Sequence, residues 1–226
     1  MAEQDVRLQR GSGLLLGLRW VLTFSPILPF SIAIALLISL LNLSLDRVLI
    51  LWLVLASALT CALLIGLMQK HVLNNYINVG RQWIVATASG IGILWPLAIG
   101  VFFVMQTVPI PDWPEEWEEI ARWGWSIAWI ATGVAQYLLL KEHWQRAAWW
   151  ILANAIAGIV GPLLGSLVGG QLSTSRWWPE LQPDLYTPPH AWIAGITVAA
   201  VTSGAFTGIV LVWLIRQRLV RSSDSI

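Results

Sequence analysis

Residues 153–170 read ANAIAGIVGPLLGSLVGG. Ala153, Ala157, Gly161, Gly165 and Gly169 recur every four residues, so on a helix they form one ridge almost without side chains. A ridge of this kind buries too little to hold a core in water. In lipid it lets a second helix approach backbone to backbone, the small-xxx-small mode of association. The stretch predicts a helical membrane protein, and Ala200, Gly204 and Gly208 repeat the same spacing further along. These two segments are expected to pack as a close pair with a right-handed crossing.

Composition agrees. Of the 226 residues 57% are hydrophobic and 11% charged, with mean hydropathy +0.71; a soluble domain carries about 25% charged residues. The net charge of +1 implies no nucleic-acid partner. Cys61 is the single cysteine, so no disulfide forms within the chain. Sixteen tryptophans suit a membrane-interface belt.

A span needs about 20 apolar residues. Six stretches qualify, at 14–43, 48–68, 83–105, 121–140, 147–170 and 191–215, flanked by polar tails at 1–13 and 216–226. The expected fold is an all-α integral membrane protein, a six-span helical bundle forming one transmembrane domain. Lys and Arg fix its orientation. Arg7, Arg10, Arg19, Lys70, Arg81, Lys141, Arg146, Arg216, Arg218 and Arg221 fall on one side, against Arg47, Arg122 and Arg176 on the other. Both termini are therefore expected in the cytoplasm.

Two outer loops are distinctive. Residues 107–120 read TVPIPDWPEEWEEI, with a solvated acidic face at Glu115, Glu116, Glu118 and Glu119. Residues 171–190 are rich in proline and aromatic side chains. Trp113, Trp117, Trp177, Trp178 and Tyr186 are the expected partner surface.

Segments recur within the chain. Gly66–Gln69 matches Gly133–Gln136 at an offset of 67, and Trp83 matches Trp150 at the same offset, so Gln precedes Trp by 14 residues in both. Arg19-Trp20 resembles the same helix entry, and Pro26, Pro29, Pro96 and Pro162 all fall in odd-numbered spans. Three tandem helical hairpins follow, pairing spans one and two, three and four, five and six. In the third copy Leu211 occupies the place of the Gln.

The pieces GVAQYLLLKEHWQRAAWWILANAIAG and GAFTGIVLVWLIRQ resemble a group of multi-spanning membrane proteins common in cyanobacteria. Those proteins carry Gly-x-x-Gln-aromatic-Leu-x-Leu-Lys/Arg segments followed by a Trp-Trp helix start. Gly133, Gln136, Tyr137, Leu140, Lys141, Trp149 and Trp150 carry the resemblance. It brings no activity with it, and it implies a plasma-membrane or thylakoid setting.

Chemistry is sparse. Between the interfaces there is no Asp, Glu, Lys or His, which argues against proton pumping, voltage sensing and intramembrane proteolysis. His71, His143 and His190 lie in loops without ligand spacing, so no metal site is expected. Gln69, Gln136 and Asn154 are the polar candidates, as interhelical hydrogen-bonding groups or ligand contacts. No cofactor is required; carotenoid, chlorophyll or lipid would leave no signature. The expected function is a non-enzymatic scaffold, assembly or accessory protein in a larger membrane complex or homo-oligomer. A small-solute transporter or channel is the alternative, suggested by prolines in equivalent spans.

Overall fold

The computed structural model describes residues 13–30, 32, 47–94, 115–173 and 189–223. All regular structure among the described residues is helical. The elements are α1 (Gly13–Phe30), α2 (Arg47–Leu73), α3 (Gln82–Ser89) running into a π-turn at Gly90–Leu94, α4 (Glu115–Leu140), α5 (Ala148–Ser173) and α6 (Pro189–Ser223). Among the described residues four stretches are long and apolar enough to cross a bilayer: Gly13–Phe30, Leu55–Leu73, Ala148–Leu172 and Ile193–Gln217. The apolar part of α4 is shorter, Ser126–Leu140. The expected third span is described only as far as Leu94, so its continuation and Pro96 lie outside the described residues. So do Trp113, Trp177, Trp178 and Tyr186, while Trp117 falls in the first turn of α4.

Several helix boundaries differ from expectation: α4 starts at Glu115, inside the expected outer loop, and α5 runs three residues past Gly170. α2 continues five residues past Met68, and α6 runs to Ser223, so Arg216, Arg218 and Arg221 are helical rather than part of a tail. The apolar pattern stops at the membrane edge, but hydrogen bonding along a helix does not. Pro189 opens α6, where its missing N–H costs nothing.

The prolines are compensated locally. Pro26 cannot donate to the Leu22 carbonyl, and Ser25 N–H donates to it instead, at 3.0 Å. Pro29 likewise leaves the Ser25 carbonyl to Leu28 N–H, at 3.1 Å. These i→i−3 bonds tighten α1 into a turn at 23–26 between its two helical parts. Pro162 removes the donor for the Gly158 carbonyl in the middle of α5, and there the substitute comes from α4. Ser126 Oγ–H donates to Gly158 O at 2.7 Å. Gly158 permits that approach, because a Cβ there would stand 3.3 Å from the Ser126 backbone and 2.8 Å from Trp129 Cβ.

The ridge of α5 packs antiparallel on α6. A Cβ on Gly161 would lie 2.9 Å from the Ala199 carbonyl oxygen and one on Gly169 3.0 Å from that of Ala191. One on Gly165 would overlap the Gly195 carbonyl oxygen. Ala153 and Ala157 continue the buried ridge, and Ser203 Oγ–H donates to the Ala157 carbonyl at 3.1 Å. The α6 partners of the ridge are thus Ala191, Gly195 and Ala199. Of the expected stripe, Ala200 is buried, but Gly204 and Gly208 face α1. A Cβ on Gly204 would meet the Phe24 ring at 2.8 Å, and one on Gly208 would meet Trp20 at 3.2 Å. The two small-residue stripes of α6 lie on different faces and serve different neighbours.

The Ser126–Gly158 bond yields a double-mutant test. Ser126→Ala should destabilise the detergent-solubilised protein by about 1 kcal/mol, the scale of an interhelical hydrogen bond in a membrane. Combined with Pro162→Ala, which restores a backbone donor to Gly158 O, the cost of Ser126→Ala should largely vanish. An equal cost in both backgrounds, measured by chemical unfolding, would show that the serine does not compensate the proline.

Candidate functional site

The buried centre is built on three tryptophans, one each from α1, α3 and α5. Trp20, Trp83 and Trp150 are almost fully buried and meet edge to face or tilted, with ring centroids 5.6–6.4 Å apart. This geometry places the positive edge of one ring on the negative face of another. A fully buried indole N–H cannot reach water, so each ring needs an acceptor within the bundle.

Each does, on the helix that packs beside it. Trp83 Nε1–H donates to Gln69 Oε1 of α2 at 3.2 Å, Trp150 Nε1–H to Gln136 Oε1 of α4 at 3.0 Å, and Trp20 Nε1–H to Thr207 Oγ1 of α6 at 2.9 Å. The acceptor opposite Trp20 is Thr207 rather than Leu211, the residue that sequence spacing aligns with the glutamines. Leu211 is instead buried in the apolar core. The segment that meets Trp20 therefore reads Gly204-Ala-Phe-Thr207, one helical turn before Gly208-Ile-Val-Leu211.

The glycine of each Gly-x-x-acceptor segment receives the residue four after the tryptophan. A Cβ on Gly66 would lie 3.3 Å from Thr87 Cβ, one on Gly133 2.6 Å from Asn154 Cβ, and one on Gly204 2.8 Å from the Phe24 ring. The same two contacts, ring to acceptor and side chain to glycine, thus join α2 to α3, α4 to α5 and α6 to α1.

Gln136 ties the centre together. Its Oε1 accepts from Trp150, while its Nε2 donates to Thr87 Oγ1 at 2.9 Å and approaches Gln69 Oε1 at 3.4 Å. One side chain of α4 therefore bridges α2, α3 and α5. The Thr87 hydroxyl donates to the Trp83 carbonyl at 3.0 Å, and Asn154 Nδ2–H donates to the Trp150 carbonyl at 2.8 Å. Gln69, Gln136 and Asn154 are all buried, so the three sequence candidates lie in or beside one cluster. The side chains that join them (Trp20, Trp83, Trp150, Thr87 and Thr207) do not stand out as candidates in the sequence. The repeated 14-residue spacing from Gln to Trp is the signal that marks two of them.

One turn along, Phe24 of α1 and Trp129 of α4 stack across the bundle with centroids 5.6 Å apart. The cluster is neutral, with no nucleophile beside a base and no carboxylate. Among the described residues no group of three His, Cys, Asp or Glu could hold a metal ion. His71 and His143 are exposed, and His143 Nδ1 lies 3.2 Å from the Leu139 carbonyl. Arg19 is likewise exposed. What the arrangement does chemically is fix the register and spacing of six helical segments.

No family model matches the chain, and no match is found among curated proteins or solved structures.

The connectivity of Gln136 predicts an order of effects. Gln136→Leu removes the acceptor of Trp150 and the donor to Thr87, and should cost about 2 kcal/mol in detergent unfolding. Thr207→Val removes one acceptor and should cost about 1 kcal/mol. A larger loss for Thr207→Val would place the organising bond at α1–α6 rather than at Gln136.

Proposed function

We propose that the chain is a non-enzymatic membrane scaffold or accessory subunit, working through its faces and loops rather than through an internal site. The observation that carries this reading is the filled axis. Trp20, Trp83 and Trp150 form one aromatic layer, Phe24 and Trp129 the next, and the polar side chains among them are hydrogen-bonded to one another or to nearby backbone carbonyls. A carrier needs a polar cavity near the bilayer midplane; the described part of the bundle axis carries two aromatic layers in contact instead.

The finer architecture belongs to the same proposal. Six spans, both termini cytoplasmic, form a threefold arrangement in a plasma or thylakoid membrane. Its unit is not the expected hairpin of spans one and two, three and four, or five and six, but an acceptor-bearing helix paired with a tryptophan-bearing helix: α2 with α3, α4 with α5, and α6 with α1. The third unit closes through the chain termini. The ten-to-three distribution of Lys and Arg supports the orientation. The partners are other membrane proteins or further copies of the chain, met through lipid-facing helices and through the aromatic loops around Trp113, Trp117, Trp177, Trp178 and Tyr186.

The test is isolation of the tagged protein from its native membranes in mild detergent, with identification of co-purifying chains and an absorption spectrum. Stoichiometric partners, with or without pigment, are the expected result. A colourless protein that elutes alone and carries a solute across reconstituted vesicles would overturn the scaffold reading in favour of transport.

A further inference from the structure

The loop end of the α5–α6 pair carries a feature that helix packing does not require. The Arg146 guanidinium, just before α5, lies over the Trp213 ring of α6, with Cζ 5.9 Å from the ring centroid. Trp149, one turn on in α5, meets the same ring edge to face at 5.9 Å. Arg146 is exposed and forms no ion pair with a carboxylate among the described residues. A long cationic side chain normally samples many rotamers; held on an indole face it is restrained while its N–H donors stay available. Lys141 and Arg216 are exposed at the same end and outnumber the exposed carboxylate of Glu142, so with Arg146 the local net charge is positive.

Below the guanidinium the surface turns apolar. Trp149 is 50% exposed, and Leu152, Ile156 and Ile159 follow it at helical spacing as an exposed stripe down α5. The stripe starts where Trp149 touches Trp213, at the junction of the two helices. A fixed cation at the interface, two indoles beneath it and an apolar track descending from them match the parts of one molecule. These are an anionic headgroup, a glycerol region and an acyl chain.

We propose that Arg146, Trp149 and Trp213 form a seat for an anionic glycerophospholipid. The phosphate takes the guanidinium donors, and one chain lies along Leu152, Ile156 and Ile159. Guanidinium suits this role because its planar fork matches phosphate oxygens. The occupant is a lipid rather than a soluble anion because the cation stands at the head of a surface that a bilayer covers with acyl chains. The inference requires only that α5 and α6 span the membrane, and it is independent of whether the chain serves as a scaffold.

The experiment is native mass spectrometry of the purified full chain, released from detergent after exposure to phosphatidylglycerol or to phosphatidylcholine. Wild type should retain phosphatidylglycerol preferentially. Arg146→Gln should reduce that preference about fivefold, the effect of one basic residue near an anionic headgroup. Trp213→Leu, which removes the platform but no charge, should also reduce it. Arg81→Gln, which removes an exposed charge before α3, should not. Equal losses for Arg146→Gln and Arg81→Gln would mean diffuse charge attraction and overturn the proposal. Displacement of the lipid by excess inorganic phosphate would make the ligand the anion itself and overturn it too. Unfolding midpoints of the variants, compared with wild type, separate loss of the seat from loss of the fold.

Discussion

A fully buried indole N–H has no water to turn to, and the arrangement of this protein depends on how three of them are satisfied. Trp20, Trp83 and Trp150 each bring a large apolar ring and one obligatory donor to the same place. The rings attract one another, which fixes where α1, α3 and α5 converge. The donors then select the neighbours, because each needs an acceptor on an adjacent helix at a particular depth. Lipid supplies no hydrophobic force to press apolar helices together. Directional bonds and close steric fit therefore specify the bundle, and here they converge on one layer.

Glycine and proline complete the specification. Gly66, Gly133 and Gly204 each open a notch for the side chain four residues after a tryptophan. This brings the acceptor, three residues beyond the glycine, within reach of the ring. The prolines loosen the backbone that these contacts constrain, and the freed carbonyls are taken up again. In α1 the neighbouring N–H groups close them. In α5 the Ser126 hydroxyl reaches across from α4 and turns a backbone defect into an interhelical bond. Among the described residues, the cluster of Trp20, Trp83, Trp150, Gln69, Gln136, Thr87 and Thr207 contains no titratable side chain.

Membrane character, helical class and the α5 ridge were legible in the sequence, because small residues at fixed spacing and long apolar runs have few alternative explanations. Gln69 and Gln136 stood out because polar side chains are rare in such runs. Their meeting at Thr87 is not legible: the offset of 67 aligns the two glutamines without showing that both reach one hydroxyl on a third helix. The third acceptor was misplaced by one turn because both Gly204 and Gly208 could begin the Gly-x-x-acceptor segment, and only the position of Trp20 and Phe24 distinguishes them. The exchange of partners between the two stripes of α6 has the same cause. Spacing shows that a face is smooth without saying which helix will use it.

The bundle closes on itself, with the last helix holding the first. Gly17 of α1 faces Val212 of α6, where a Cβ on the glycine would stand 3.8 Å from the valine side chain. Cysteines at these two positions, in a background where Cys61 is serine, report the closure directly when native membranes are mildly oxidised. Rapid formation of an intramolecular disulfide within the monomer is the predicted result. Free thiols throughout, or disulfides that join separate chains, would contradict a closed six-helix unit and leave Trp20 without the partner on which the account rests.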